Sequence, residues 1–160
     1  MPLQRVTYRF TVRLPASADR AYRWATDYRE DDLALMGFRA RRKVRRVATD
    51  TVMLTDSFDS DPFASVPGGR VRKDKLVHFF PERRAWTSTH VSGPTLYSQF
   101  LYEIVPTGRN SSRLRYTGVQ VEPASRRPTP AGLAKRAREL ARIDSRSWRR
   151  LAKAMGKDPA

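Results

Sequence analysis

Residues 10–28 read FTVRLPASADRAYRWATDY, and the change of rhythm inside this stretch sets the architecture of the whole chain. Leading into it, Val6, Tyr8, Phe10, Val12 and Leu14 alternate with Thr7, Arg9, Thr11 and Arg13, the period of two of a half-buried strand. Pro15 and Ser17 end the alternation. Ser17 is a good N-cap for a short helix from Ala18 to about Thr26, because its hydroxyl can accept an orphan N–H of the first turn. A second short helix is predicted over about 29–35, closed by Gly37.

Downstream the chain turns to strands, predicted at 39–48, 51–58, 70–80, 84–92, 95–105 and 112–122. Thr49-Asp50, Pro81-Glu82, Gly93-Pro94 and PTGRNSS (106–112) supply the turns. The longest interruption, DSDPFASVPGG (59–69), reads as a candidate mobile loop. A Pro-rich linker (124–132) leads into a long helix predicted over 131–155. One strand, two short helices, six consecutive strands and a final helix argue α+β, an antiparallel sheet covered by helix. Residues 1–160 fit a single domain, with 1–123 forming the sheet and short helices.

Within the final helix, LARIDSRSW (140–148) holds an anomaly. At about 100° per residue, Leu133, Ala137, Leu140, Trp148, Leu151 and Met155 form one apolar stripe, and Asp144 falls in its middle. The neighbours of Asp144 at helical spacing are Leu140, Ala141, Ser147 and Trp148, so its own helix offers no basic partner. Glu139 has Lys135, Arg136 and Arg142 at those spacings and reads as a surface charge. A buried, isolated carboxylate costs several kcal/mol, so Asp144 is expected to find a partner on the sheet: a histidine, an inward arginine or a tyrosine hydroxyl.

Charge bounds the partners. The net charge is +16, from 26 Arg and 6 Lys against 16 acids. Residues 126–157 carry eleven basic and two acidic side chains, and 39–46 read RARRKVRR, while acids gather in DYREDD (27–32) and DSFDSD (56–61). Such segregation builds a field that attracts phosphate, anionic membrane or RNA. On the final helix the phosphate-contact candidates are Arg142, Arg146 and Arg149; the alternative is a solvated outer face. With no cysteine, no signal-peptide core and no apolar run of membrane length, a soluble cytoplasmic protein without a transmembrane segment is expected.

The layout resembles the START/polyketide-cyclase-like (SRPBCC) superfamily, the helix-grip fold. The likeness rests on residues 10–28, with Tyr22 where members usually carry Trp, on FLYEIVPTGRNSSRLRYTGVQVEP (100–123), similar to the family's last hairpin, and on the amphipathic final helix. It implies a curved antiparallel sheet of six or seven strands gripping that helix around an apolar cavity, into which Asp144 would point. Members bind lipids, sterols, polyketides or hormones; some are cyclases or dehydratases, and others are chaperone activators or ribosome-associated factors. Fold alone selects none of these.

Sheet residues facing Asp144 follow from alternation. Ser98, Phe100, Tyr102 and Ile104 share one face, as do Leu114, Tyr116, Gly118 and Gln120. Trp86 brings Ser88 and His90 inward; taking the Leu76 and Phe80 side of the 70–80 strand as apolar brings His78 inward too. His78, His90 and Asp144 are thus candidates for acid–base chemistry, a nearby carboxylate raising a histidine's pKa, or for structural pairing alone. A ligand would meet Trp86, His90, Phe100, Tyr102, Tyr116, Asp144 and Trp148, an aromatic wall with polar anchors. No metal is expected, since the two histidines lack close ligand spacing, and Asp56, Asp59 and Asp61 lack a calcium loop's glycine and closing glutamate and read as a solvated loop. No nucleotide or hydrolase motif is present, and no cofactor is implied. The expectation is binding of a small hydrophobic or amphipathic ligand, such as a lipid, polyketide or steroid-like molecule. A cyclase/dehydratase-like enzyme, or a basic RNA- or ribosome-associated module, stays open.

Overall fold

The computed structural model describes residues 2–64 and 68–158. In chain order the elements are β1 (Leu3–Leu14), α1 (Ala18–Thr26), α2 (Asp32–Leu35), β2 (Ala40–Ala48), β3 (Thr51–Phe58), β4 (Val71–Phe80), β5 (Ala85–His90), β6 (Gln99–Gly108), β7 (Ser111–Pro123) and α3 (Pro130–Lys157). The strands form one seven-stranded sheet in the order β1-β7-β6-β5-β4-β3-β2, antiparallel throughout. It is curved, with α3 held against it. This is the α+β, helix-grip arrangement read from the order of elements. Ser17 caps α1, accepting the N–H of Arg20 at 3.3 Å, and Thr129 caps α3, accepting that of Gly132 at 3.1 Å. Of the loop expected over 59–69, residues 65–67 lie outside the described residues.

Register aligns the inward side chains in rows across the sheet. One row runs Phe10, Tyr116, Tyr102, Trp86, Phe79 and the next runs Tyr8, Gly118, Phe100, Ser88, Val77, Val52. Gly118 is required in that second row. A Cβ there would sit 2.6 Å from the Phe100 ring and 3.0 Å from that of Tyr116, so the missing side chain makes room for both rings. The core joins these rows to Leu140, Trp148, Leu151 and Met155 of α3 and to Ala21 and Tyr22 of α1. Tyr22 meets Trp86 edge-on at 6.0 Å.

Two boundaries differ from the alternation. Residues 95–98 are a turn rather than the start of β6: Leu96 N–H bonds Gly93 O and Tyr97 adopts a positive φ of 73°. Between β6 and β7 the strands run on to Gly108 and Ser111, leaving Arg109-Asn110 as a tight turn inside the predicted 106–112 connection.

The larger correction is the phase of β4. Lys73, Val77 and Phe79 are buried and Lys75 is half-buried, whereas Phe80 on the other face is exposed. His78 therefore faces outward, its side chain 42% exposed, with Nε2 3.4 Å from Asp50 and Nδ1 3.2 Å from the Thr51 hydroxyl. The lysines made their face look solvated, but buried counter-ions receive them. Asp56 is fully buried and Asp61 nearly so, which corrects the solvated-loop reading of both; Asp59 is exposed.

Candidate functional site

Between α3 and the sheet lies a cavity of ≈ 90 Å³. Asp144 reaches it from the buried stripe of α3. Its Oδ2 accepts hydrogen bonds from the hydroxyls of Tyr8 (2.5 Å, β1) and Tyr116 (3.1 Å, β7), which stand 2.9 Å from each other. β1 and β7 are neighbours in the sheet, so two inward tyrosines converge on one carboxyl oxygen. The expected sheet-borne partner is thus a pair of phenols. Burial raises the Asp144 pKa, the tyrosine bonds and then Lys75 and Lys73 pull it back, and it settles at about 6. Burial, reinforced by Asp144, lifts the Tyr8 and Tyr116 hydroxyls well above 10, so both remain donors.

The aromatic wall is Phe100, Tyr102, Tyr116 and Trp148, and Phe58 and Phe63 also line the cavity. Tyr102 and Trp148 lie 5.7 Å apart at 50°, and Tyr102 meets Tyr116 edge-on at 5.1 Å. Trp86 does not line the cavity. It lies fully buried behind Tyr102, stacked on it at 4.8 Å and 3°, so alternation gave its face correctly but not its depth.

His90 does line the cavity, but Asp144 does not orient it. Its Nδ1 pairs with the hydroxyl of Thr95 at 2.8 Å, and its ring tilts against Phe100 at 5.0 Å. Burial, then the charges of Lys75 and Lys73, hold its pKa well below 6.5. The imidazole is neutral near pH 7, opposite to the upward shift expected from a carboxylate neighbour.

Sequence reasoning missed a buried ion cluster at one side of the cavity. Asp56 accepts two bonds from Arg42, at 2.7 and 2.8 Å, and lies 2.7 Å from Lys75 Nζ. Lys73 Nζ is 2.8 Å from Asp61 and lies over the rings of Phe58 and Phe63. Arg42, Asp56 and Lys73 stand directly opposite one another across β2, β3 and β4. A signal existed in the sequence: Val52, Leu54, Asp56 and Phe58 alternate inward, an acid in an apolar row like Asp144.

Another buried acid, Glu122, ties α3 to the sheet. It accepts both Arg136 Nε (2.8 Å) and Nη2 (2.9 Å), together with Gln4 and Gln120. Arg136 and Gln120 also donate to the main-chain oxygen of Phe63, at 2.6 and 2.9 Å, seating the 61–64 segment over the cavity. Arg136 is therefore a structural arginine. Arg142, Arg146 and Arg149 are exposed, as the helical spacing predicted. Among the described residues no helix is long and apolar enough to cross a membrane.

No protein-family model matches the sequence, and no curated protein matches it. Solved structures do match in fold. The Zhui aromatase/cyclase from Streptomyces sp. R1128 aligns with TM-score 0.64 and 12% identity, over 96% of this chain and 92% of its own. A START superfamily protein from Mycobacterium smegmatis gives 0.64 and 17%, over 94% of each chain. Norcoclaurine synthase from Thalictrum flavum gives 0.66 and 14%, over 99% and 90%. At these identities the likeness is one of architecture, and it agrees with the sheet order, the gripped helix and the cavity: the chain has a START-like helix-grip fold.

Proposed function

We propose that this protein binds a small amphipathic ligand in the cavity between α3 and the sheet. The observation that carries the reading is the Tyr8–Asp144–Tyr116 cluster set into an aromatic wall: apolar surface supplies affinity and a few fixed polar groups supply orientation. A cavity of ≈ 90 Å³ is smaller than the roughly 150 Å³ that holds a benzene ring, so a guest needs the lining to yield. A polyketide- or steroid-like ligand seats its polar end there, with the unbranched Met36 and the Phe63 ring, which both line the space, giving way.

Titration with apolar fluorescent probes and lipids tests this. Ser88 lines the cavity and is buried, so Ser88→Leu should fill it. Binding is expected to fall about tenfold or more, while overpacking costs about 1–3 kcal/mol of stability. Probe binding that is absent in the parent, or unchanged in the folded variant, sinks the proposal.

A second reading, acid–base turnover, draws on Asp144 and His90 lining the same cavity with a carboxyl that titrates near neutrality at about 6, since a group poised near ambient pH serves best in proton transfer. Two of the three solved structures compared above bear enzyme names. Under this reading Asp144 exchanges the proton and His90, held by Thr95, accepts or donates a hydrogen bond to the substrate.

The arginine face supports a contact of its own with an anionic membrane, from which an amphipathic ligand would be drawn. Arg138, Arg142, Arg146, Arg149 and Lys153 are exposed, while Glu139 pairs with Arg136 and Asp144 is buried. Changing Arg142, Arg146 and Arg149 to Glu should abolish binding to phosphatidylserine vesicles, and parent binding should fall steeply with salt. Salt-independent binding, or preference for RNA over vesicles, excludes the membrane contact.

A further inference from the structure

We propose that the ligand of this cavity carries a protonated nitrogen, seated between the Asp144 carboxylate and the rings of Tyr102, Tyr116, Phe100 and Trp148. The inference rests on the cavity-binding reading and narrows it to a chemical class.

Most charges around the cavity are already matched. Three cations line it, Arg42, Lys73 and Lys75, and each is held by a carboxylate: Arg42 and Lys75 by Asp56, Lys73 by Asp61. Two carboxylates line it, Asp32 and Asp144. Asp32 lies 3.6 Å from Arg29 and 3.7 Å from Arg42. Asp144 touches hydroxyls alone, both on Oδ2, and among the described residues no donor reaches its Oδ1. It is 8% exposed, so little water replaces the missing counter-ion. Arg42 and Lys75 share the one carboxylate of Asp56, and the charges of Lys75 and Lys73 reach Asp144 from a distance; among the described lining residues Asp144 is still the carboxylate that no cation touches, and its free Oδ1 offers a cationic guest a direct contact.

The wall around that carboxylate fits the same guest. Phe100, Tyr102, Tyr116 and Trp148 contribute four aromatic rings beside Asp144, and ring faces attract an ammonium, more strongly when it is desolvated. The two tyrosine hydroxyls fix the carboxylate while leaving one oxygen for an N–H donor. An anionic guest would meet Asp144 directly and would have to displace Asp56 or Asp61 to reach a cation.

The experiment uses three single-ring probes that share a skeleton: benzylamine, benzyl alcohol and benzoate. Each is titrated by NMR into the full chain and into Asp144→Asn at about pH 7.5, where the amine is protonated and the acid ionised. Expected is an order of amine, alcohol, benzoate, with the amine about tenfold or more tighter than the alcohol. In Asp144→Asn the amine-to-alcohol ratio should collapse to about one. Equal or tighter binding of the alcohol, or a ratio that survives in Asp144→Asn, overturns the cationic assignment while leaving a cavity that binds. Benzoate binding tightest overturns it in favour of the lysines. If no probe binds, the cavity reading and this inference fall together.

Discussion

Replacing Asp56 with alanine is expected to destabilise the fold by about 3–5 kcal/mol, the cost of leaving buried charges without their counter-ion. Asp56 is fully buried and holds both Arg42, itself 8% exposed, and Lys75. Removing its carboxylate from β3 leaves two cations, Arg42 of β2 and Lys75 of β4, without the group that lies between them. Urea unfolding at neutral pH measures the loss, and a change under about 1 kcal/mol would show that the cluster re-pairs without it. Acid should reproduce the effect. Burial pushes the Asp56 pKa up, but Lys75 and Arg42 outweigh burial and hold it well below the usual carboxylate range. A depressed folded pKa means the unfolded state binds the proton first. The contribution is present above about pH 4 and is lost as pH falls below it.

Asp144 should behave in the opposite sense. Its folded pKa is raised from 3.8 to about 6, so the folded state holds the proton more tightly than the unfolded one. The stability this confers is present below about pH 4 and is lost as pH rises through about 6. Above that, the ionised carboxylate costs the fold up to about 3 kcal/mol. Asp144→Asn keeps an acceptor for the two tyrosines and removes the charge. At about pH 7.5 it is expected to be more stable than the parent by about 1–3 kcal/mol, the gain vanishing below about pH 4. Urea unfolding of both proteins across that range decides the matter. A variant less stable than the parent at neutral pH would show that Lys73 and Lys75 stabilise the carboxylate from a distance.

How much of this could be read from the chain depended on whether the alternating residues agreed. From Val6 to Leu14 in β1 and from Ser112 to Gly118 in β7, every inward position is apolar, aromatic or small, and the inward placement followed directly. In α3 the stripe was strong enough that one acid within it became a question about the opposite sheet face. β4 offered Leu76 and Phe80 on one face, Val77 and Phe79 on the other, so apolar residues could not choose. The lysines then tipped the choice wrongly, because their burial depends on Asp56 and Asp61, which lie in other segments. Pairing over such distances is a property of register, and alternation within one strand carries no register. The same limit hid the depth of Trp86: its face was legible, but Tyr102 covering it was not.

Phe63 is anchored by its main-chain oxygen, through Arg136 and Gln120, while the residue also lines the cavity and its ring packs on Phe38 at 5.5 Å. Tether and lining group therefore belong to one residue but to different atoms. Exchanging the side chain leaves both tethering donors satisfied, so the chamber can be resized at position 63 without unseating the segment that bears it. A natural or engineered lineage could change the bulk of what it accepts by a single codon there, while Glu122 and Arg136 stay untouched.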